Sequence, residues 1–469
     1  MKKKSQIAFF VIVFVCITVA WLCSLVEITT LVSYRSCFTA GELFAWETAN
    51  KYEVSDIIGY CVRYVWLYWL ACTVIYIGLC RMVFRMACRL TKRKAWAGTV
   101  VAMGLLIPFV LPNSPVNLFG EYYLVYRQIV DIRKHQFDNR GFAFHAVRHE
   151  EVPQQEVYVL AIGESLRYKN LSLNGEYERE TTPMLQQQSN LCLYSDYYAN
   201  ATLTQHAMPM LLTDAITENF DMHFGKKTIA AAFAEVGFKT ALVSHRAQLM
   251  NNGYHNYLAL DFDTLLFVEH DSLIAPTIGQ LTERNAKWFV VTNYLGNHMF
   301  YTNRTEDCLV WRPDYNADPK AKSDSLFLNA YDNSVLYTDR LMNEYIEVLK
   351  QTNAVSAWLF VSDHGEYIDN RVSGHGHTYH PTKDEYHVPL LVWYSDEYKA
   401  AYPEKVENVI KHKDEPVCAD HVFWSILDMA GIRIDSTLQQ EGMSIFGDTL
   451  LPHPRTLLLP DGKSVMTLD

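Results

Sequence analysis

The chain has 469 residues and a net charge of −11, a balance that argues against a nucleic-acid-binding protein, which would need a basic surface. Its apolar residues are unevenly spread, since the first 112 residues are strongly apolar and the remainder has the mixed composition of a globular domain. Beyond residue 112 the cysteines are Cys192, Cys308 and Cys418. Because they form no CxxC pattern and cannot all pair, we expect neither a thiolate-based metal site nor a disulfide framework there.

The apolar part contains three runs that we predict to be transmembrane helices, at residues 7–32, 57–80 and 95–112. The loop 81–94 carries six basic residues and no acidic one, whereas residues 33–56 carry two basic and four acidic residues. Basic loops stay on the cytoplasmic side, so three crossings place everything after about residue 113 in the periplasm of a bacterial cell. The chain is thus predicted to be a multi-pass protein of the inner membrane.

Residues 113–153 form a predicted connector, in which GEYYLVYRQIVDIRKHQF has the apolar spacing of a helix lying on the membrane surface. Residues 154–469 form the predicted soluble domain. The pattern there predicts strands within 156–165, 190–198, 286–298 and 356–366, a helix–turn–strand unit at 228–245, and a long helix at 325–351. This alternation indicates an α/β fold with a largely parallel sheet and helices on both faces.

Polar side chains stand at the ends of three predicted strands. Glu164 follows VLAIG, His298 follows VVTNYLGN, and the pair Asp363 and His364 follows WLFVS. Ligands of such sheets bind outside the carboxyl ends of the strands, so we expect these side chains to share one site. Carboxylate oxygens and imidazole nitrogens suit Zn²⁺, and a set of Glu, Asp and His leaves one tetrahedral position open.

A threonine hydroxyl is a candidate for that position. The stretch NATLTQHAMP offers Thr202 and Thr204, directly before an apolar helical segment. The charge of a metal ion stabilises an alkoxide and would turn an ordinary hydroxyl into a nucleophile. The start of a helix beside it would also favour a bound phosphate. The residues alone do not decide between the two threonines.

Several longer segments follow one another along the chain: IGESLRYKNLSLNGEYERETTPML, ANATLTQHAMPMLLT, TNYLGNHMFYTNR, YDNSVLYTDRLMNEYIEVLK, VSDHGE and GHGHTYHPTKDEYHVPLLVW. In this order they resemble the phosphoethanolamine transferases of the alkaline phosphatase/sulfatase superfamily. That family includes enzymes that modify lipid A and the lipopolysaccharide core and the mobile colistin-resistance enzymes. They extend over nearly all of residues 155–430. The chain departs from the family's usual five predicted crossings and from its several disulfides.

This resemblance implies a sulfatase-like fold and a zinc site. Glu164, Asp363 and His364 would ligate the catalytic zinc ion. Thr204 would be both the fourth ligand and the nucleophile, because it precedes Pro209 by five residues, as the family threonine precedes its proline.

The resemblance also assigns roles to histidines. His298 and His375 match two family histidines near the transferred phosphoryl group, where they would act in catalysis. Together with His377 they are candidates for holding a second zinc ion or the substrate phosphate. His377 and His380 lie in the same loop as His375, so which of the three belongs to the site stays open.

The implied reaction is zinc-dependent transfer of phosphoethanolamine from phosphatidylethanolamine to lipid A or the lipopolysaccharide core, through a phosphoethanolamine–threonine intermediate. Such a change masks phosphate charge and would give resistance to cationic peptides. We expect a monomer with no nucleic-acid partner. A phosphoglycerol transferase, or another phosphodiester transferase or hydrolase of the superfamily, is the alternative. An inactive membrane sensor or scaffold is disfavoured, because all four residues of the implied zinc set are present. The acceptor and the number of zinc ions stay open.

Overall fold

The computed structural model separates into two compact units, Met1–Gln128 and Ile129–Asp469. It describes residues 2–34, 58–59, 61–87, 104, 118–135, 138–148, 152, 155–245, 256–282, 286–305, 308–315, 318, 321, 323–369, 373–376 and 380–468. The predicted helix at 95–112 lies outside these residues except for Gly104.

Two long helices make up most of the described N-terminal unit. Helix α1 spans Lys2–Tyr34, and α2 spans Trp66–Ala87 after a π-helical turn at Cys61–Val65. Their segments Ile7–Val32 and Trp66–Arg85 are long and apolar enough to cross a membrane, and most of their residues are not buried. Side chains that face lipid would be exposed in this way. The membrane crossings themselves stay a prediction.

The two helices pack against each other through aromatic and polar contacts. The rings of Trp21 and Tyr76 stack with their centroids 4.7 Å apart. The indole N–H of Trp69 donates a hydrogen bond to the hydroxyl of Thr29 at 3.0 Å. Such hydrogen bonds between helices are a usual means of holding transmembrane helices together. Helix α3, Leu118–His135, follows within the predicted connector.

The larger unit contains the remaining described strands and helices. The strands are β1 (Val147–Arg148), β2 (Glu156–Gly163), β3 (Leu191–Leu193), β4 (Tyr197–Tyr198), β5 (Lys239–Ser244), β6 (Thr264–Phe267), β7 (Trp288–Asn293), β8 (Val355–Ser362), β9 (Tyr367–Ile368), β10 (Ser373–Gly374), β11 (Leu390–Tyr394), β12 (Val417–Cys418), β13 (Ile432–Arg433), β14 (Thr456–Leu458) and β15 (Val465–Thr467). The helices are α4 (Thr204–Leu212), α5 (Ile229–Glu235), α6 (Asn256–Ala259), α7 (Ile274–Thr282), α8 (Leu326–Gln351), α9 (Lys383–Tyr386), α10 (Asp396–Ala401), α11 (Pro403–His412) and α12 (Asp420–Met429).

One sheet, in the order β3-β11-β8-β2-β7-β5-β6, organises this unit. The pairs from β8 through β6 are parallel, and β11 is antiparallel to both of its neighbours. Strands β2, β7 and β8 are buried at every position, as in a sheet covered on both faces. The predicted α/β fold with a largely parallel sheet is therefore confirmed, with β11 as the reversed strand.

The predicted strand at 190–198 is divided between two sheets. Strand β3 pairs with β11 at the edge of the main sheet, whereas β4 pairs in parallel with β12 in a separate two-stranded ribbon. Tyr194, Ser195 and Asp196 lie between the two strands. The chain thereby leaves the main sheet before it reaches the segment that contains Thr204.

Candidate active site

Two neighbouring strand ends place the acidic residues of the site side by side. In the parallel pair β2 and β8, Gly163 lies opposite Ser362, and the amide of Asp363 donates to the carbonyl of Gly163 at 3.1 Å. Glu164 and Asp363 therefore leave the sheet at the same edge. Both side chains are buried, as is that of His364, the next residue.

The turn after Glu164 has a strained backbone. Ser165 has a φ of 58°, in the left-handed region that residues other than glycine seldom adopt. Its amide donates to Asp363 Oδ1 at 3.2 Å, and its hydroxyl donates to Glu164 Oε1 at 2.9 Å. Tyr331 of α8 donates its phenol O–H to the carbonyl of Ser165 at 2.7 Å. These contacts hold the Glu164 carboxylate in place, and the motif analysis had assigned no role to Ser165 or Tyr331.

Thr204 is the first residue of α4, and its hydroxyl faces the acidic cluster. Its Oγ1 lies 3.2 Å from Glu164 Oε2 and 3.3 Å from His364 Nε2. Thr202 is also buried, but its hydroxyl has no hydrogen-bond partner among the described residues. The fold thus distinguishes the two threonines that the sequence left open.

His364 presents Nε2 to three oxygen atoms. Nε2 lies 3.4 Å from Glu164 Oε1 and 3.5 Å from Asp363 Oδ2, besides its contact with Thr204. Nδ1 is within 2.8 Å of the carbonyl of Gly365, so an Nδ1–H would donate there. Nε2 then faces the cluster, with a lone pair when the ring is neutral and with an N–H when it is protonated. Burial alone would lower the pKa of His364, but the carboxylates of Asp363 and Glu164 outweigh it and raise the pKa to about 9. The cluster therefore favours a positive charge at this position.

His375 joins the cluster from the loop after β10. Its ring centroid lies 3.9 Å from that of His364, and donor atoms of Glu164, His364 and His375 all lie within 4.8 Å of one another. Nδ1 of His375 is 2.7 Å from Oε2 of the buried Glu366, whose Oε1 accepts the phenol O–H of Tyr301 at 2.8 Å. Glu366 is the last residue of the SDHGE motif, and its contact with His375 was not foreseen.

The loop that carries His375 packs directly on the start of α4. Gly376 has a φ of 64°, and a Cβ at this position would lie 2.1 Å from Cδ2 of Leu203. Only glycine permits both this backbone conformation and this close approach. The contact brings His375 next to the helix that begins at Thr204.

The remaining predicted histidines differ in their positions. The His298 ring lies 6.1 Å from that of His375, and the amide of the preceding Asn297 donates to the carbonyl of Glu164 at 3.2 Å. His298 therefore lies beside the cluster. His377 lies outside the described residues, and His380 is exposed.

The family model described as Sulfatase matches residues 156–432, more than half of the chain. The chain belongs to the sulfatase family. The superfamily that the motifs indicated is thereby confirmed, and the matched region contains every residue of the cluster described above.

Relatives and solved structures agree with this assignment. The Kdo(2)-lipid A phosphoethanolamine 7''-transferase of Escherichia coli (strain K12) is 26% identical over 284 residues, which are 56% of this chain and 49% of that protein. The chain spans about half the length of the first curated relatives it matches. The zinc complex of the C-terminal periplasmic domain of EptC from Escherichia coli superposes with a TM-score of 0.61 at 21% identity, covering 70% of this chain and 95% of that one. The integral membrane protein EptA from Neisseria meningitidis gives a TM-score of 0.65 at 17% identity, covering 92% and 86%. At these identities the superpositions establish the fold.

Proposed function

We propose that the chain transfers phosphoethanolamine from phosphatidylethanolamine to lipid A or the lipopolysaccharide core, with Thr204 as the nucleophile. The observation that carries the proposal is the position of the Thr204 hydroxyl, within 3.2 Å of Glu164 and 3.3 Å of His364 in a buried cluster. The matched relative that is named as a lipid A phosphoethanolamine transferase supports the choice of transferred group and acceptor.

The residues of the cluster fit a zinc ion. Glu164, Asp363, His364 and Thr204 offer oxygen and nitrogen donors of the type that zinc binds. Two buried carboxylates around one imidazole need a positive charge, and the raised pKa of His364 reflects that need. Bound zinc would lower the pKa of the threonine hydroxyl and stabilise negative charge on the phosphoryl oxygens.

The first step of the proposed reaction takes place at Thr204. The Thr204 hydroxyl gives up its proton to solvent and its oxygen attacks the phosphorus of phosphatidylethanolamine. A P–O bond forms, and the bond from phosphorus to the diacylglycerol oxygen breaks. His298 and His375 are the groups we assign to protonate the leaving oxygen. The phosphoryl group would then lie at the N-terminus of α4, where the helix dipole favours negative charge.

In the second step an acceptor oxygen attacks the phosphorus and releases Thr204. The same histidines, now deprotonated, would accept the proton of the acceptor. The carboxylate of Glu366 accepts a hydrogen bond from Nδ1–H of His375. Nε2 is therefore the nitrogen of His375 that can take up the proton. His298 and His375 are also the candidates for a second zinc ion or for contact with the substrate phosphate.

The two apolar helices give this reaction a membrane setting. The donor and the acceptor are both lipids, and α1 and α2 would anchor the chain in the membrane that contains these lipids. We propose a multi-pass inner-membrane protein with residues 154–469 in the periplasm and residues 113–153 as a connector. The enzyme would act as a monomer.

The test is mass spectrometry of lipid A and core from cells that express wild type, Thr204→Ala or Thr202→Ala. We expect wild type and Thr202→Ala to add one phosphoethanolamine unit and Thr204→Ala to add none. Both threonines are buried, so Thr202→Ala is the control for the packing that is lost when a buried threonine is shortened to alanine. Modification at the wild-type level by Thr204→Ala would overturn the assignment of the nucleophile, and a different added group in wild type would overturn the proposed donor.

A further inference from the structure

A second group of metal-ligating side chains lies outside the candidate active site. Cys418 ends β12, Asp420 begins α12, and His453 lies in the segment before β14. Donor atoms of the three all lie within 4.8 Å of one another. Cys418 and Asp420 are 2% and 6% exposed, and the side chain of His453 is 24% exposed. The group is therefore largely buried but can be reached from solvent through His453.

His421 lies beside this group and is not one of its three members. It is 1% exposed, and its Nδ1 lies 3.5 Å from Sγ of Cys418 and 3.1 Å from the backbone nitrogen of Cys418, whose N–H it accepts. The ring of His421 lies 5.6 Å from that of His453. The thiol of Cys418 is therefore enclosed by imidazole rings.

We propose that Cys418, Asp420 and His453 bind a zinc-class divalent ion, separate from the centre at Glu164. Sulfur, imidazole and carboxylate donors together are typical of zinc, and a thiolate disfavours Mg²⁺ and Ca²⁺. The donor atoms of the three side chains all lie within 4.8 Å of one another, so one ion can contact all three.

Binding requires only small changes in the group. Nε2 of His453 lies 2.9 Å from Oδ2 of Asp420, a hydrogen bond that the ion would replace by moving the two atoms apart by a few tenths of an ångström. The thiol of Cys418 would release its proton to solvent on binding. Oδ1 of Asp420 would keep its hydrogen bond from Asn200, at 3.2 Å. That bond orients the carboxylate from outside the coordination shell.

The ion would fasten the C-terminal segment to the approach to Thr204. Strand β12, which ends at Cys418, pairs with β4, and the amide of Leu458 donates to the carbonyl of Asn200 at 2.8 Å. Asn200 stands four residues before Thr204. An ion bound by both His453 and Cys418 would therefore connect the segment before β14 with the end of β12. Both β14 and β12 contact the segment that leads into α4.

Sequence spacing did not indicate this site. Cys418 has no second cysteine nearby, and His453 is far from it in the chain, so the cysteine pattern predicted no thiolate-based site. The fold brings Cys418, Asp420 and His453 together.

The test uses the full chain in detergent and titrates it with Co²⁺ after metal removal. A cobalt–thiolate bond gives a charge-transfer band in the near ultraviolet, and none of the residues assigned to the Glu164 centre is a thiol. We expect the band in wild type and in Cys308→Ser, a control that removes another buried thiol. Cys418→Ser should lose the band, and His453→Gln should weaken cobalt binding at least tenfold.

Absence of the band in wild type, or an equal band in Cys418→Ser, would overturn the proposal. Circular dichroism checks that the variants fold. If they do not, alkylation of Cys418 in wild type decides the matter, with and without Zn²⁺ and with the modified peptide read by mass spectrometry. Zinc should slow the alkylation at least tenfold, and an unchanged rate would contradict the site.

Discussion

Oγ1 of Thr204 lies 3.3 Å from Nε2 of His364, although 160 residues separate the two in the chain. The contact exists because β8 delivers His364 to the end of the sheet at which α4 begins. The hydroxyl is thereby placed against an imidazole and a carboxylate that both have the donor chemistry of a zinc site.

Removal of metal should abolish activity in a reversible way. Exhaustive dialysis against a chelator should lower transfer at least a hundredfold, because the Thr204 hydroxyl would lose the charge that lowers its pKa. Added Zn²⁺ should restore activity and raise the melting temperature. Transfer of a labelled phosphatidylethanolamine head group is the measurement. Full activity in the metal-free protein would exclude zinc from the reaction.

A Glu164→Gln variant provides the control for this experiment. It keeps the size of a buried side chain but removes one of the proposed ligand charges. After metal removal, we expect the Glu164→Gln variant to need a much higher zinc concentration than wild type to reach the same activity. A chelator and zinc response identical to that of wild type would show that Glu164 is not a ligand.

Glu366 should act on the reaction through His375. Its carboxylate lies 2.7 Å from Nδ1 of His375 and accepts from Tyr301. In Glu366→Gln an amide can present its N–H₂ group to Nδ1–H, so the imidazole would lose its fixed tautomer and orientation. We expect a loss of roughly 10- to 100-fold in rate, as for other residues that orient a catalytic or metal-bound histidine.

The pH profile separates this role from a structural one. Glu366→Gln should change the shape of the pH–rate profile, whereas a loss of folding would lower the rate equally at each pH. Tyr301→Phe removes one hydrogen bond to Glu366 but keeps the carboxylate, so it should cost less than tenfold. Equal effects of the two variants would contradict the proposed contact.

Gly365 should tolerate no side chain. A Cβ at this position would lie 2.1 Å from the carbonyl oxygen of Asp384, which is backbone and cannot move cheaply. Gly365→Ala should therefore destabilise the fold by about 1 to 3 kcal/mol and displace His364, whose Nδ1 contacts the Gly365 carbonyl. Thermal denaturation and the transfer assay measure the two effects. Gly225→Ala, which meets no atom within 4 Å, should change stability by about 0.5 kcal/mol or less, and equal losses in both variants would contradict the steric argument.

The parts of the site that the sequence predicted are those that depend on local patterns. Glu164, Asp363 and His364 follow strands, and the rule that ligands bind at strand ends is sufficient to group them. The choice between Thr202 and Thr204 depended on a resemblance, because both are followed by the same helix. The structure gives the physical difference, since only the Thr204 hydroxyl contacts the cluster.

The parts that could not be predicted depend on contacts between distant segments. The left-handed backbone of Ser165 is stabilised by Tyr331 from α8, and no pattern around Ser165 marks it. The contact of Glu366 with His375 exists because the loop folds back, with Gly376 against Leu203. Such contacts join residues far apart in sequence, so composition and periodicity carry no signal for them.

Acid should destabilise the catalytic unit through His223. Burial lowers the pKa of His223 to about 4, against the smaller opposing effect of its hydrogen bond to the Phe220 carbonyl. In the unfolded chain a histidine has a pKa of about 6.5, so between these values the unfolded state binds the extra proton. The contribution of His223 to stability is complete above pH 6.5 and is lost as the pH falls towards 4. The loss amounts to roughly 3.5 kcal/mol at most, from about 1.4 kcal/mol for each pH unit between the two pKa values.

The variant His223→Gln isolates this effect, because glutamine does not titrate and its amide can still donate to the Phe220 carbonyl. Denaturant unfolding between pH 7.5 and about pH 4.5 should show a shallower fall of the free energy of unfolding than in wild type, by up to one proton. His380→Gln removes a histidine at an exposed position and is the matched control. If His223→Gln lost stability with acid as steeply as wild type, the acid sensitivity would have to arise from other buried groups, and the proton taken up on unfolding would not belong to His223.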